Sequence, residues 1–328
     1  MPSTLDYLKQ FTTVVADTGD FESIKKYAPV DSTTNPSLIL QASKMPQYSH
    51  LLDEAVNFGL KEKGLDAQVE AAFIRTFVLF GAEILKIIPG RVSTEVDARY
   101  SFDIQKQVEL ARHLIAMYEE VGFSKERILV KLSSTWEGIQ AGKILESKYG
   151  IHCNLTLMFS LCQAIASAEA GVTLISPFVG RVLDWYTAKH GKKTFGRLED
   201  PGVQLVTEIY HYYKTHGYKT EIMGASFRNT DQILGLVGCD LLTISPALME
   251  ELSKMTEKLE PCLSQATVLA TDGGHKSSRP APMDEATFRW QLNESEMASD
   301  KLAEGVRRFA KDADTLREAL RRRIQGKH

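Results

Sequence analysis

Short runs rich in β-branched and apolar residues alternate along the chain with longer segments in which apolar residues recur every three or four positions. The first pattern is typical of strands and the second of amphipathic helices. Eight short runs have strand character, and each precedes a segment with helical character. These predicted strands cover residues 13–17, 30–35, 91–97, 127–133, 152–156, 172–178, 221–227 and 241–245. The order is typical of a closed parallel barrel.

The helical pattern is clearest at 103–121, where Ser101 can cap the start and Gly122 ends the segment. A second such segment is 158–170. The chain ends in a long helix predicted at about 298–324. Because no linker and no solenoid repeat is evident, we predict one domain, residues 1–328. The predicted fold is an α/β (β/α)8 TIM barrel with additional N-terminal and C-terminal helices, and a doubly wound sheet with a second domain is the alternative.

Composition narrows the functional classes. The 328 residues are 43% hydrophobic and carry a net charge of -3, so the basic field of a nucleic-acid-binding protein is absent. No apolar run reaches membrane-spanning length, and the first residues match neither a signal peptide nor a transit peptide. The four cysteines form no Cys-x-x-Cys pair, which argues against a zinc site or a disulfide framework. We therefore predict a cytoplasmic protein that binds neither membrane nor nucleic acid.

Side-chain alternation places polar residues inside the predicted barrel. Successive strand residues face opposite ways, and the apolar face must pack beneath the helices. The opposite face then carries Glu95 and Asp97 on the third strand, Lys131 on the fourth, and Asn154 and Thr156 on the fifth. A barrel interior is normally filled by branched apolar residues, and buried charges are costly unless paired. Polar groups at the carboxyl ends of barrel strands predict an active site, whereas a purely structural ion pair is the alternative.

Further polar residues lie at the ends of other strands and suggest the chemistry. Asp17 and Asn35 end the first two predicted strands, and Ser176 lies near the end of the sixth. Burial disfavours the charged form of a lysine, and a neutral amine adds to carbonyl groups to give a Schiff base. Neighbouring carboxylates can move the protons that this chemistry requires. The set suits carbon–carbon bond cleavage next to a ketone, with the protonated imine as electron sink and no metal or other cofactor.

Two arginines follow the sixth and seventh predicted strands. Arg181 and Arg228 would lie near the barrel mouth, and Ser226 adds a hydroxyl beside them. Paired guanidinium groups suit a phosphate or a carboxylate. Surface arginines in loops are the alternative, and these residues alone do not decide between the two.

Six segments in the same order resemble the transaldolase family. They are DSTTNPSL at 31–38, GRVSTEVD at 90–97, ILVKLSSTWEGI at 128–139, CNLT at 153–156, ISPFVGR at 175–181 and MGASFR at 223–228. The resemblance extends from Asp17 almost to the C-terminus. It implies transfer of a dihydroxyacetone unit from sedoheptulose 7-phosphate to glyceraldehyde 3-phosphate in the non-oxidative pentose phosphate pathway. The products would be erythrose 4-phosphate and fructose 6-phosphate, and a homodimer would be expected.

The resemblance also implies individual roles. Lys131 would be the Schiff-base nucleophile, and Asp17 would take the proton from the C4 hydroxyl. Glu95 and Thr156 would position a water molecule for proton transfer. The remaining site residues would bind substrate: Asn35, Asn154 and Ser176 the three-carbon unit, and Arg181, Ser226 and Arg228 the phosphate.

Two other functions remain as hypotheses. A simple aldolase would release dihydroxyacetone to water; related fructose-6-phosphate-cleaving aldolases tend to carry tyrosine at the position of Phe178, so phenylalanine favours transfer. A non-catalytic barrel could bind RNA through its last helix, which carries arginines at 307–308 and 321–323. Interleaved acidic residues favour an ordinary solvated face instead.

Overall fold

Eight parallel strands close into a barrel in the computed structural model, which describes residues 2–191, 195–271 and 278–327. Each strand pairs with the next along the chain, and β8 pairs with β1. The strands are β1 Thr13–Asp17, β2 Asp31–Thr33, β3 Val92–Glu95, β4 Ile128–Ser133, β5 Cys153–Met158, β6 Leu174–Pro177, β7 Glu221–Gly224 and β8 Leu241–Ile244. The predicted (β/α)8 barrel is therefore confirmed.

Helices follow the strands, and further helices precede β1 and follow β8. Within the described residues they are α1 Thr4–Phe11, α2 Phe21–Tyr27, α3 Pro36–Ala42, α4 Ser49–Gly59, α5 Leu65–Leu85, α6 Ile104–Glu120, α7 Trp136–Ile144, α8 Leu161–Glu169, α9 Val179–His190, α10 Pro201–Thr215, α11 Thr230–Leu234, α12 Pro246–Lys254, α13 Gln265–Thr271, α14 Glu285–Glu294 and α15 Glu296–Gln325. In the part of the chain that the structure describes, no helix has the length and apolar character needed to cross a membrane.

Several predicted boundaries are wrong: the third and seventh strands were predicted to reach residues 97 and 227, but β3 ends at Glu95 and β7 at Gly224. Two other boundaries are wrong for identifiable local reasons. The second predicted strand extended to Asn35, but β2 ends at Thr33 because Asn35 caps α3 by accepting a hydrogen bond from the Leu38 amide at 2.9 Å. Pro36 then occupies the first helical position, where its missing N–H costs nothing. The helix predicted to begin at residue 158 instead begins three residues later, since β5 continues through Met158.

The start of α6 also differs from the prediction. Asp103, not Ser101, caps the helix, with its carboxylate accepting from the Lys106 amide at 2.9 Å. The Ser101 hydroxyl is buried and donates to the Ala98 carbonyl and the Ser133 hydroxyl. An aspartate three residues before a free helical amide is as good a cap as serine, and sequence alone could not choose between them.

The barrel interior has an apolar layer below a polar one. Five side chains from β1, β4, β6, β7 and β8 form the apolar layer: Val15, Leu129, Leu174, Met223 and Leu241. The polar layer lies two residues further along the same strands, where Asp17 follows Val15, Lys131 follows Leu129 and Ser176 follows Leu174. Because strand side chains alternate, each polar residue faces the same interior as the apolar residue below it. The apolar layer thus closes the floor of a polar site at the carboxyl ends of the strands.

The long helix α15 lies against this end of the barrel. It contacts α3, α5, α9 and β5, and its buried face is mostly apolar. Gly305 permits a close approach, since a Cβ atom at this position would come within 2.6 Å of Leu157 Cδ2. Leu157 follows Thr156 and has a left-handed backbone, with φ 54°. The packed helix therefore covers an uncommon backbone conformation beside the predicted site.

Candidate active site

A cavity of about 250 Å³ lies at the carboxyl ends of the strands. Its lining brings together eight residues singled out from the sequence: Asp17, Asn35, Lys131, Ser176, Phe178, Arg181, Ser226 and Arg228. The other three, Glu95, Asn154 and Thr156, are buried beside it on β3 and β5. A larger, more open groove of about 730 Å³ lies elsewhere, between α8, α9, α10 and α14, but its described lining contains no lysine or arginine. The smaller cavity is therefore the candidate active site.

Lys131 and Glu95 face each other on neighbouring strands. They are register partners in the β3–β4 ladder, and the Lys131 Nζ lies 3.7 Å from Glu95 Oε2. The Lys131 side chain is only 5% exposed and that of Glu95 only 1%. Lys131 Nζ also lies 3.4 Å from the Thr34 carbonyl oxygen, a long hydrogen bond. Parallel pairing thus holds a buried amine and a buried carboxylate side by side.

Burial makes the Glu95 carboxyl a better proton acceptor. Desolvation raises its pKa to about 7, against the opposing effect of the Lys131 and Arg181 charges. Neither carboxylate oxygen has a hydrogen-bond partner among the described residues, and the same holds for the buried Thr156 hydroxyl. Buried polar atoms normally find partners, so unpartnered oxygens at a strand end are a feature of functional sites.

Asp17 occupies the end of β1 in a similar setting. Its carboxylate accepts a hydrogen bond from the Thr33 hydroxyl at 3.0 Å, and that hydroxyl also lies 2.8 Å from the Thr243 hydroxyl. Burial raises the pKa of Asp17, although the nearby Lys131 charge and the Thr33 hydrogen bond oppose the rise. Asp17, Glu95 and Lys131 together form what we call the inner charged cluster.

Asn154 is held by hydrogen bonds at both ends of its amide. Its Nδ2 donates to the Ser93 hydroxyl at 3.0 Å, and its Oδ1 accepts from the Ser176 hydroxyl at 2.7 Å. Asn154 is also the register partner of Lys131 across β4 and β5. Asn35 has its Oδ1 engaged in capping α3 but still lines the cavity. Two amides and a hydroxyl therefore surround the inner charged cluster.

Aromatic rings form one wall of the cavity. The ring of Phe178, 5% exposed, packs edge-on against Phe159 with centroids 5.7 Å apart. The Arg181 guanidinium lies 4.9 Å from the Phe178 ring centroid and 5.3 Å from that of Phe309, which α15 contributes. Stacking between two rings fixes a guanidinium while leaving its N–H donors directed along its plane.

Three arginines, Arg181, Arg228 and Arg308, line the rim of the cavity and form what we call the arginine rim. Burial and the charges of Arg308 and Arg228 lower the pKa of Arg181 to about 10. The Arg228 side chain is 39% exposed, and its guanidinium contacts the Asp184 carboxylate through Nε at 3.1 Å and Nη2 at 2.6 Å. Mutual repulsion among such cations makes the rim favourable for an anion.

The backbone around Ser226 is unusual. Ser226 has a left-handed backbone with φ 60°, and its carbonyl accepts from the Gly180 amide at 2.9 Å and from Arg228 Nη1 at 3.2 Å. A Cβ atom on Gly180 would lie 2.3 Å from the Ser226 carbonyl oxygen, so only glycine fits at this contact. Strained backbone at a cavity rim persists where the surroundings determine it and is common at ligand sites.

Comparison with known proteins agrees with this geometry. The family model for transaldolase and fructose-6-phosphate aldolase matches residues 14–320. The chain belongs to this transaldolase/fructose-6-phosphate aldolase family. It is 59% identical to transaldolases from Bos taurus and Homo sapiens over 99% of the chain and 95% of each relative. It is 55% identical to the transaldolase from Methylobacillus flagellatus over 99% of the chain and the whole of that relative.

These full-length matches confirm the prediction of a transaldolase, a transferase enzyme. They compare sequences and do not test the role of any single residue in the site. The roles predicted for the inner charged cluster and the arginine rim therefore stay predictions.

Sequence reasoning missed part of the transaldolase-family site. Thr33 and Thr243 line the cavity and form the hydroxyl pair beside Asp17. Arg308 and Phe309 also line the cavity but come from α15. Arg308 lies 80 positions after Arg228 in the sequence. The threonines could have been found by strand alternation, since Thr243 lies two residues after the interior Leu241. Nothing local to residues 308–309 distinguishes them from the rest of an amphipathic helix.

The predicted position of Asp97 inside the barrel is wrong. Asp97 was expected to share the inward face with Glu95, but β3 ends at Glu95 and Asp97 instead pairs with Arg317 of α15.

The last three arginines of α15 each form an ion pair with a carboxylate: Arg321 with Asp66, Arg322 with Glu318 and Arg323 with Asp53. This pairing supports an ordinary solvated face rather than an RNA-binding tail.

Proposed function

We propose that this chain transfers a dihydroxyacetone unit from sedoheptulose 7-phosphate to glyceraldehyde 3-phosphate through a Schiff base on Lys131. The observation that carries the proposal is the buried Lys131 amine at the cavity, 3.7 Å from the Glu95 carboxylate. A neutral amine adds to the C2 carbonyl of the donor ketose to give a carbinolamine, and loss of water then gives the iminium. The products are erythrose 4-phosphate and fructose 6-phosphate.

Glu95 and Thr156 are assigned to the water steps. A single water molecule bound between the Glu95 carboxylate and the Thr156 hydroxyl would satisfy atoms that have no partner among the described residues. With its pKa raised to about 7, Glu95 can both accept and return a proton near neutrality. It would protonate the departing hydroxyl of the carbinolamine through this water and later activate the water that hydrolyses the product imine.

Asp17 is assigned to carbon–carbon cleavage. Its carboxylate takes the proton from the C4 hydroxyl, the C3–C4 bond breaks, and the electron pair moves into the iminium to give an enamine while the aldose product leaves. In the second half, the enamine attacks the acceptor aldehyde, and Asp17 returns the proton to the new alkoxide. A raised pKa suits a group that must hold this proton between the two half-reactions.

The substrate-binding roles follow from the polar groups around the cavity. Asn35, Asn154 and Ser176 would hold the hydroxyl groups of the three-carbon unit. Because Ser93 and Ser176 already orient the Asn154 amide, little reorganisation is needed on binding. Arg181, Arg228 and Ser226 would bind the phosphate, and we add Arg308 to this set because it lines the same rim.

Phe178 favours transfer over simple aldol cleavage. A phenyl ring packed against Phe159 and Arg181 has no hydroxyl that could hold a water molecule near the enamine. The carbanion equivalent would then persist until an acceptor aldehyde arrives. With donor alone, release of free dihydroxyacetone should be slow compared with transfer when the acceptor is added.

The decisive experiment is borohydride reduction with fructose 6-phosphate followed by mass spectrometry of the peptides. A dihydroxyacetone-derived adduct on Lys131 is expected. Without glyceraldehyde 3-phosphate, sedoheptulose 7-phosphate should yield at most about one equivalent of erythrose 4-phosphate per enzyme, and repeated turnover should begin when glyceraldehyde 3-phosphate is added. Fast release of free dihydroxyacetone without acceptor would instead identify a simple aldolase.

The homodimer and the cytoplasmic location also stay predictions. Light scattering during size-exclusion chromatography measures the first, with a mass near twice the 36.6 kDa of one chain expected. Fractionation of cells that express the protein measures the second.

A further inference from the structure

Arg317 is the charged side chain on an otherwise apolar buried face of α15. The buried residues described on this helix are Ala298, Leu302, Gly305, Val306, Phe309, Ala313, Leu316, Arg317, Leu320 and Ile324. The Arg317 guanidinium donates from Nε to Glu70 Oε1 at 2.5 Å and from Nη2 to Asp97 Oδ2. Its Cζ also lies 3.7 Å from the centroid of the Phe73 ring. One side chain thus contacts α5 and the segment that follows β3.

The partner Asp97 is itself almost fully buried and lies two residues after Glu95. Its side chain is 4% exposed and also accepts from the Arg99 amide at 2.9 Å and from the Arg99 guanidinium. Although burial opposes it, contact with Arg99 and Arg317 holds the pKa of Asp97 below its ordinary value. A charged pair therefore links α15 to the strand that carries Glu95.

Apolar contacts alone would not fix where α15 lies along the barrel. Its apolar residues recur every three or four positions, so sliding or rotating the helix by one turn would replace one apolar contact with another. A buried guanidinium cannot slide in this way, because Arg317 would lose its ion pairs with Asp97 and Glu70 while its charge stayed buried. Buried ion pairs add little net stability, and their best-attested role is to fix register.

Two residues at the active-site end depend on this register. Arg308 and Phe309 precede Arg317 by nine and eight residues, about two turns of helix or roughly 12 Å. Phe309 stacks on Arg181, and Arg308 lies close enough to lower the Arg181 pKa. A shift of α15 by a fraction of a turn would move both residues away from the rim.

We propose that the Arg317–Asp97 ion pair is a positioning device: it fixes α15 in the register at which Arg308 and Phe309 complete the arginine rim, and so sets the preference for phosphorylated substrates. The inference rests on the phosphate role proposed above for Arg308. Neither Arg317 nor Asp97 lines the candidate active-site cavity. Arg317 therefore acts on the rim through the helix that carries it, and Asp97 acts by holding Arg317.

The test is the Arg317→Met variant, which keeps most of the side-chain volume and removes the charge. Its kcat/KM for glyceraldehyde 3-phosphate relative to that for unphosphorylated glyceraldehyde should fall by roughly tenfold, about the loss of one charge-assisted hydrogen bond. The change should appear in KM for the phosphorylated acceptor, with kcat largely kept. Arg317→Lys, which keeps the charge but not the planar fork, should recover part of the preference. The matched control is Arg322→Met on the exposed side of the same helix, which should change nothing.

A second variant separates positioning from folding. Arg317→Met leaves Asp97 with only one cationic partner and should lower the melting temperature. Adding Asp97→Asn removes the remaining buried charge and should restore much of the stability, because loss of both partners is far less costly than loss of one. The preference for phosphorylated substrate should stay low in this double variant. If preference returns together with stability, Arg317 is merely structural and the proposal is wrong.

Arg308→Ala distinguishes failure of this inference from failure of the phosphate role. If Arg308→Ala alone leaves the preference unchanged, the proposed role of Arg308 fails, and the positioning proposal fails with it. If Arg308→Ala lowers the preference, Arg317→Met should add little in the Arg308→Ala background, since one residue acts through the other. Full additivity of the two effects, or no effect of Arg317→Met in the otherwise unchanged enzyme, rejects the positioning proposal while leaving the phosphate role intact.

Discussion

The inner charged cluster and the arginine rim use charge in opposite ways. Lys131 and Glu95 project from paired strands, are nearly fully buried, and have few hydrogen-bond partners. The rim residues come from α9, the segment after β7 and α15, and Arg228 is 39% exposed and paired with Asp184. Burial raises the pKa of Glu95 in the first region. In the second region burial also lowers the pKa of Arg181, but the charges of Arg308 and Arg228 add to this effect.

This difference fits the separate tasks that we propose for the two regions. Proton transfer at neutral pH is favoured by a group whose pKa lies close to neutrality, and burial gives Glu95 such a pKa, about 7. Anion binding needs permanent cations that converge on one point, and it tolerates solvent and mobile supports. Substitutions in the cluster should therefore affect chemistry with every substrate, and substitutions in the rim should affect phosphorylated substrates far more than unphosphorylated ones.

Lys131→Arg should have the largest effect. The substitution keeps the positive charge but removes the nucleophile, because guanidinium does not form a Schiff base. Activity should fall by at least about 10³-fold with phosphorylated and unphosphorylated substrates alike, and the borohydride-trapped adduct should disappear. Lys143→Arg, on an exposed position of α7, is the matched control. An adduct that maps to Lys86 or Lys143 would show that the nucleophile has been misassigned.

The Asp17→Asn variant should separate Schiff-base formation from carbon–carbon bond cleavage. Schiff-base formation should continue, while carbon–carbon cleavage slows by about 10²–10⁴-fold through loss of the acid/base group. Mass spectrometry after borohydride treatment should then find an intact ketose adduct in place of the three-carbon adduct. Asp66→Asn, at an exposed position of α5, should behave as the unaltered enzyme. If Asp17→Asn neither slows turnover nor changes the adduct, the acid/base role belongs to another residue.

Glu95 should give the enzyme a recognisable dependence of stability on pH. Its folded-state pKa is raised from 4.5 to about 7, so the folded chain keeps a proton that the unfolded chain releases. The free energy of unfolding should therefore fall as pH rises from about 4.5 to about 7, by about 1.4 kcal/mol per unit of pKa difference at most. The raised pKa of Asp17 acts in the same direction.

Urea unfolding of the Glu95→Gln variant at pH 5 and pH 8 measures this contribution. The loss of stability between the two pH values should be smaller than in the unaltered chain, because glutamine does not titrate. Glu109→Gln, an exposed change on α6, should leave the loss unchanged. Equal losses with and without Glu95 would mean that the carboxyl is ionised throughout this range.

Arg228→Ala should have the smallest effect and a selective one. Loss of one charge-assisted contact should lower kcat/KM for glyceraldehyde 3-phosphate by roughly tenfold. Unphosphorylated glyceraldehyde should be affected far less. Arg322→Ala serves as the control on an exposed arginine. If both substrates lose activity equally, Arg228 matters for its ion pair with Asp184 and not for phosphate.

Much of the inner charged cluster could be predicted from the sequence because strand alternation is local. Once eight strands are recognised, every second residue of a strand must face the barrel interior. This rule places Lys131 and Glu95 inside the barrel, in a polar layer above the apolar one. The family segments add the expected roles without any coordinates. The pattern does not fix the helix boundaries, because Asn35 and Asp103 each begin a helix through a single side-chain hydrogen bond.

The contribution of α15 to the arginine rim, and the support of that helix, were decided only by tertiary structure. Arg308 and Phe309 belong to a helix whose periodicity shows which face is buried but not what it is buried against. The pairing of Arg317 with Asp97 joins residues 220 positions apart, and alternation even suggested that Asp97 faces the interior. Periodicity records local geometry, whereas the approach of a distant helix depends on packing across the whole barrel mouth. For this reason the sequence determined which residues form the inner charged cluster, and the fold determined how the arginine rim is completed.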